Sequence, residues 1–153
     1  MTIWLAKVFG TGFGTGYAPV ASGTVGSLLA AAMYWFIPNF ARTDILLSVS
    51  LVMFAVGVWS GGVLEDLYGH DPREATIDEL VGQWLALAFL PKTWLTLLLS
   101  VALFRLFDIT KPEPANKFQK LPRGWGVMMD DVVAGVYANL AVQLIYLLMP
   151  QWK

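Results

Sequence analysis

Five carboxylates, Asp78-Glu79, Asp108 and Asp130-Asp131, stand at the ends of long apolar segments in a chain where 14% of residues are charged. A carboxylate at a membrane boundary loses hydration, so it persists where it pairs with a cation, binds a metal or handles a polar substrate. Three such positions in a chain of 153 residues point to one shared centre.

Each position brings neighbours that widen its chemistry. The stretch HDPREATIDELVG carries Asp71, Glu74, Asp78 and Glu79 ahead of an apolar helix, a density of hard oxygen ligands suited to Mg²⁺ or another hard cation. In FRLFDITKPEPA, Arg105 and Asp108 share one helix face at i and i+3, with Lys111 just before Pro112. Arg105 either neutralises Asp108, or Asp108 ligates a metal while Arg105 or Lys111 holds a phosphate oxygen. RGWGVMMDDVVAG opens the last apolar segment with two acids. Asp78 and Asp130 near helix starts also fit simple capping, but adjacent, repeated pairs exceed what a cap requires.

The N-terminal run TGFGTGYAPVASGTVGS interleaves Gly12, Gly14, Gly16, Gly23 and Gly26 with Thr11, Thr15, Ser22, Thr24 and Ser27. Amides and hydroxyls in such a loop, leading into a helix, can cradle a phosphate; a re-entrant turn is the plainer reading. Its spacing matches neither a Walker loop nor a dinucleotide fingerprint.

Composition removes several hydrolytic designs. There is no Cys, and His70 is the lone histidine, so cysteine and two-histidine phosphatases are excluded. His70, Glu65 and Asp66 read as a solvated loop. Asp-x-Asp-x-Thr is absent. The surviving scheme is attack by water assisted by a metal, with a carboxylate as general base.

These groups must be positioned by membrane helices. Hydrophobic residues make up 57% of the chain, with seven Trp and a mean hydropathy of +0.61, more apolar surface than a soluble domain of this length buries. The expected fold is all-α: a multi-helical integral membrane protein of about four or five membrane-embedded helices, forming a single domain over residues 1–153. The apolar segments are 25–40, 45–64, 80–90, 94–107 and 132–149, and only the second and fifth approach the roughly 20 residues that cross a bilayer unaided. Pro38, Pro91, Pro112 and Pro114 mark breaks between them. Gly57, Gly61, Ala134, Ala138 and Ala141 read as close helix contacts, and Trp4, Tyr34, Trp35, Trp94, Tyr146 and Trp152 as an interfacial belt.

With a cytoplasmic N-terminus and five spans, Lys7, Arg73, Lys111, Lys117, Lys120 and Arg123 lie inside, and Arg42, Lys92 and Lys153 outside, in keeping with the positive-inside tendency. That orientation gathers the Gly-rich loop and all three acidic positions on one face. Residues 1–10 lack the pattern of a signal peptide, and a net charge of −1 gives no field for nucleic acid, which is not an expected partner.

In this order the motifs resemble the phosphatidylglycerophosphatase A family. The resemblance rests on Gly23-Thr24 with Gly26-Ser27, on Asp78-Glu79-Leu80-Val81-Gly82, on Phe104-Arg105-Leu106-Phe107-Asp108 with Lys111-Pro112, and on Gly126 through Asp130-Asp131 to Ala134-Gly135. It implies a Mg²⁺-dependent enzyme of the bacterial inner (cytoplasmic) membrane, multi-pass, with its active site facing the cytoplasm. The implied reaction removes the terminal phosphate of phosphatidylglycerophosphate. By that likeness Asp78, Glu79, Asp108, Asp130 and Asp131 are the expected catalytic and metal residues. Thr24, Ser27, Arg105 and Lys111 are expected near the substrate phosphate. Membrane lipids are expected partners, and no obligate protein partner is. Ser22 departs from the family's usual Pro before Gly-Thr.

Two other readings compete. A CDP-alcohol phosphotransferase is also a carboxylate-rich membrane enzyme, but its long Asp-Gly to Asp signature is absent. A small ion-binding or transport membrane protein would explain the acids, yet not the Gly/Thr/Ser loop or the basic loop.

Overall fold

The computed structural model describes residues 2–70 and 72–152, the side chain of Trp152 excepted. Asp71 and Lys153, named above in the acidic block and in the charge balance, lie outside the described residues, as does the Trp152 side chain of the proposed belt. Among the described residues the chain is all-helical, without a strand. Its helices are α1 (Thr2–Gly10), α2 (Ser22–Phe36), α3 (Thr43–Tyr68), α4 (Ile77–Leu87), α5 (Trp94–Thr110), α6 (Ala115–Phe118) and α7 (Gly124–Leu148), with short 3₁₀ turns at Thr15–Tyr17 and Pro150–Trp152.

Among the described residues two helices, α3 with 26 residues and α7 with 25, are long and apolar enough to cross a membrane. Only 39% of the apolar window of each is buried, so most of each faces outward, as lipid contact demands and a soluble core does not. This is fewer than the four or five embedded helices expected. The helices α2 and α5, with 15 and 17 residues, fall short of that length, and α4 has only 11.

The departure at α4 has a local cause. The helix stops at Leu87 because Ala88 turns extended and Phe89 takes a left-handed φ of 62°, ahead of Pro91. Nine of its eleven residues are buried, since α2, α3, α5 and α7 pack around it. A helix end inside a low-dielectric interior leaves carbonyls that need partners. Asn139 of α7 supplies them, donating to the carbonyls of Leu85 (3.2 Å), Ala86 (3.2 Å) and Ala88 (2.7 Å). Trp84 anchors the same helix to α2 through Nε1–H to the Ala30 carbonyl at 3.1 Å.

Small residues permit the close approach of α7. A side chain at Gly135 would strike the backbone of Gly82, and one at Gly82 would strike Phe104. Ala134 and Ala138 are fully buried in the same seam, whereas Ala141 is half-buried. Gly57 of α3 accommodates Met128, and Gly61 faces Gly124. At the far end from the acids, Trp35 stacks on Trp94 with ring centroids 3.8 Å apart, and Lys92 donates to the Trp35 carbonyl at 2.7 Å.

Helix α7 also corrects an expectation. It begins at Gly124, so Asp130 lies in its second turn rather than at its start, and does not cap it.

Candidate metal and phosphate site

Three helix ends converge on one polar cavity of about 380 Å³. The first turn of α4 supplies Asp78 and Glu79, the last turns of α5 supply Arg105 and Asp108, and α7 supplies Asp130 and Asp131, with Lys111 just beyond α5. Ala21, Ser22 and Gly23 at the start of α2 close one wall, and Pro72, Arg73 and Ala75 another.

Glu79, Asp108 and Asp131 each offer an oxygen, and these three oxygens lie within 4.8 Å of one another. Oxygen ligands across a hard cation stand roughly 4 Å apart for Mg²⁺ and up to about 5 Å for Ca²⁺, twice their bond lengths, so the cluster is of the right size. Asp78 Oδ1 and Asp131 Oδ2 are buried with no hydrogen-bond partner among the described residues. Buried carboxylate oxygens without donors are unfavourable as anions unless a cation meets them. The donor set fits a hard metal ion.

Two basic side chains partition the carboxylates. Nη1 of the Arg105 guanidinium bridges Glu79 at 2.5 Å and Asp108 at 2.6 Å, tying together carboxylates from two helices. Lys111 pairs with Asp130 at 2.6 Å. Asp130 Oδ1 in turn accepts from the Asp131 amide at 3.1 Å. Neither Asp78 nor Asp131 joins an ion pair among the described residues.

Burial and the crowding of charge raise proton affinity at α4, which is too short to span a bilayer. Burial first, then the Asp108 carboxylate, push Glu79 up to about 7 against the opposing pull of Arg105 and Ser27. Asp78 is held well above the ordinary carboxylate range, again by burial, then by Glu79 and Asp130.

The Gly-rich run divides into two parts with different work. Thr11 and Thr15 are spent inside the fold: Thr11 Oγ1 donates to the Lys7 carbonyl at 2.6 Å, and Thr15 Oγ1 shares a hydrogen bond with Thr76 Oγ1 at 2.8 Å. Gly12 and Gly14 take φ of 52° and 96°, turns that other residues resist. The second part faces the cavity. Ala21, itself left-handed, precedes α2 without a side-chain cap, so the first amides of α2 are left for another acceptor. A Cβ at Gly23 would reach the ends of the Glu79 and Arg105 side chains, so a larger residue there would displace the carboxylate and guanidinium from their present places.

Of the residues expected near phosphate, Arg105 and Lys111 line the cavity, while Thr24 and Ser27 stand outside its lining. Ser27 is buried and braces Glu79, 3.4 Å from Oε2, while also donating to the Gly23 carbonyl at 3.0 Å. Sequence reading passed over Arg73, whose backbone carbonyl accepts from Ser22 Oγ at 3.0 Å. Its position inside the acidic block was the available signal.

His70 lies apart from the cavity, 3.0 Å from Glu65. Asp66 pairs with Arg123.

Residues 8–146 match the family described as Phosphatidylglycerophosphatase A. A Bacteroides thetaiotaomicron protein named "Putative phosphatidylinositol-3-phosphatase" is 38% identical over 146 residues, covering 91% of this chain and 92% of its own length. The phosphatidylglycerophosphatase A of Escherichia coli K12 is 32% identical, covering 92% of this chain and 81% of its own. That of Haemophilus influenzae is 37% identical, with coverage of 86% and 82%. No solved structure matches. A match across nearly the whole chain, on the helices that build the acidic cavity, means that the chain belongs to the phosphatidylglycerophosphatase A family.

Proposed function

We propose that this chain hydrolyses the terminal phosphate of phosphatidylglycerophosphate, giving phosphatidylglycerol and inorganic phosphate, with Mg²⁺ as its cofactor. The observation that carries this reading is the convergence of Glu79, Asp108 and Asp131 beside the basic residues and open helix start that suit a phosphomonoester.

Glu79, Asp108 and Asp131 would hold the cation, with Asp78 and Asp130 completing the acidic lining. When bound, the metal supplies charge neutralisation for the phosphate and lowers the pKa of a coordinated water. Lys111 and the first amides of α2 meet the phosphate oxygens at the cavity wall. Arg105 keeps Glu79 and Asp108 in register and adds positive charge beside the phosphate. Asp78 is the general base: it lines the cavity beside the carboxylates that would hold the cation, and its buried Oδ1 has no hydrogen-bond partner among the described residues, which leaves that oxygen to take the proton of the attacking water. The new bond joins the water oxygen to phosphorus while the bond from phosphorus to the glycerol oxygen breaks, and that oxygen takes up a proton to leave as the hydroxyl of phosphatidylglycerol.

Placement follows from the same geometry. The short helices α2 and α5 are proposed to be membrane-embedded beside α3 and α7, because Leu28, Phe36, Leu98 and Leu106 are exposed on them. The basic residues Lys7, Arg73, Lys111, Lys117, Lys120 and Arg123 belong to the end that carries the acids, and by the positive-inside tendency this supports a cavity facing the cytoplasm at the bacterial inner membrane.

The name carried by the Bacteroides relative supplies a second reading, a phosphorylated inositol headgroup. Phosphate release from detergent-purified protein tests both. Mg²⁺-dependent release from phosphatidylglycerophosphate, abolished by chelator and stronger than release from phosphatidylinositol 3-phosphate or phosphatidic acid, is the expected result. Preference for the inositol lipid would replace the first reading. Folded protein that releases no phosphate from any of the lipids would remove the phosphatase assignment and return ion binding to the front.

A further inference from the structure

The helices α2 and α5 that wall the polar cavity also form an apolar groove of about 470 Å³. From α2 it takes Leu28, Ala31 and Ala32; from α5 it takes Leu98, Val101 and Ala102. Trp35 and Trp94, stacked at 3.8 Å, lie at its far end.

Polar cavity and groove share one stripe on each helix. On α5, Ala102 precedes Arg105 by three positions and Arg105 precedes Asp108 by three, so the groove lining leads directly to the site. On α2, Ser22 lines the cavity, Val25 is exposed one turn later, and Leu28 begins the groove after another turn. The alanines keep the two helices from filling the space between them with side chains, although both carry exposed leucines beside it.

We propose that this groove is the binding subsite for one acyl chain of the lipid whose phosphate enters the polar cavity. The inference rests on the lipid phosphatase reading and adds to it the path of the tail. Its length supports the assignment. From Arg105 to Trp94 the α5 axis rises about 16 Å at 1.5 Å per residue, comparable in length with one acyl chain, which fills about half of the roughly 30 Å hydrocarbon core. A chain lying there keeps the headgroup ester at the acidic end and leaves the second chain in bulk lipid. The Trp35–Trp94 stack closes the path and sets the longest chain that fits.

The test compares dipalmitoyl and dihexanoyl phosphatidylglycerophosphate as substrates of the wild type, Ala32→Leu and Ala102→Val. A leucine at residue 32 fills the groove without touching the acids. The expected result is a fall of about tenfold or more in kcat/KM for the long-chain lipid, in the range that lost apolar substrate contacts produce, with the short-chain lipid hydrolysed as by the wild type. Retained short-chain turnover also reports an intact fold and site. Unchanged long-chain turnover in both variants would overturn the subsite.

A second measurement needs no variant. A dipalmitoyl substrate bearing a mid-chain diazirine, photolysed with the wild type in detergent, is expected to label α2 and α5 and to be displaced by unlabelled long-chain lipid. Labelling spread evenly over α3 and α7, or a groove covered by a second copy of the chain in a crosslinked dimer, would overturn the proposal. Failure of the phosphatase reading is separate: the wild type would then hydrolyse neither lipid.

Discussion

The side-chain amide of Asn139 reaches the carbonyl of Ala88 at 2.7 Å, and by this bond and two weaker ones the middle of α7 closes the buried end of α4. Asn139→Leu removes these three bonds while keeping volume; Leu85 keeps the Ala88 amide at 3.2 Å and Ala86 keeps the Ser100 hydroxyl at 3.4 Å, so among the described residues the Ala88 carbonyl loses its donor. Leaving buried acceptors unpaired costs about 1–3 kcal/mol. The variant is expected to melt several degrees lower in detergent, with the acids themselves untouched, and thermal unfolding monitored by circular dichroism checks it. An unchanged midpoint would show that the α4 terminus finds other partners.

Asp131→Asn is expected to reduce phosphate release by about a hundredfold or more, the scale of losing a ligand that positions a catalytic metal. The same change should raise the melting midpoint in chelator, because it removes one charge from a crowded carboxylate cluster. Measuring both separates a ligand from a structural residue. A variant that loses activity together with cation-free stability would contradict the role given to this side chain.

Stability of the metal-free protein should fall as pH rises toward neutrality. Folded Glu79 keeps its proton up to about pH 7, whereas the unfolded chain releases it near 4.5. Between those values the unfolded state binds fewer protons, so the contribution is full below the unfolded value and is lost as pH climbs through about 7. Melting in chelator at pH 6 and pH 8 tests this, with Glu79→Gln expected to flatten the difference. Added Mg²⁺ should reverse the trend, since the ion binds the deprotonated carboxylates.

Gly23→Ala is expected to cut activity by roughly tenfold or more, because the new methyl displaces the Glu79 carboxylate from its place beside Arg105. Gly14→Ala in the same run meets no neighbouring atoms, though its φ of 96° strains it, so it should lower stability more than turnover. Paired melting and kinetic measurements of the two variants distinguish the cavity wall from the turn. Equal kinetic losses would deny Gly23 its particular position.

The sequence already brought the acids together, because charge is scarce in this chain and its placement at segment ends is conspicuous. Asp78-Glu79, Asp108 and Asp130-Asp131 do line one cavity. Segment lengths were less legible. Hydropathy alone does not distinguish a helix buried in protein from one facing lipid, so α4 read as a span when it is a short interior helix. Ser27 reads as part of the phosphate loop, since a hydroxyl next to glycines carries no mark of its partner across 52 positions. Asn139 had no local signal, for its partners are backbone atoms of another helix. The start of α7 was hidden by Gly124 and Gly126, residues that read as loop but allow close packing against Val58 and the Gln119–Leu121 backbone.

Because α4 is enclosed by α2, α3, α5 and α7, its apolar surface faces protein rather than lipid in the folded chain. Its final placement is therefore expected to be a late docking event in biogenesis, dependent on synthesis of α7, and the acids at its tip meet Asp130 and Asp131 only once that docking is complete. A nascent chain halted before α7 should leave a cysteine introduced at residue 83 open to water-soluble thiol reagents, while the full chain protects it, a measurement made simple by the absence of native cysteine.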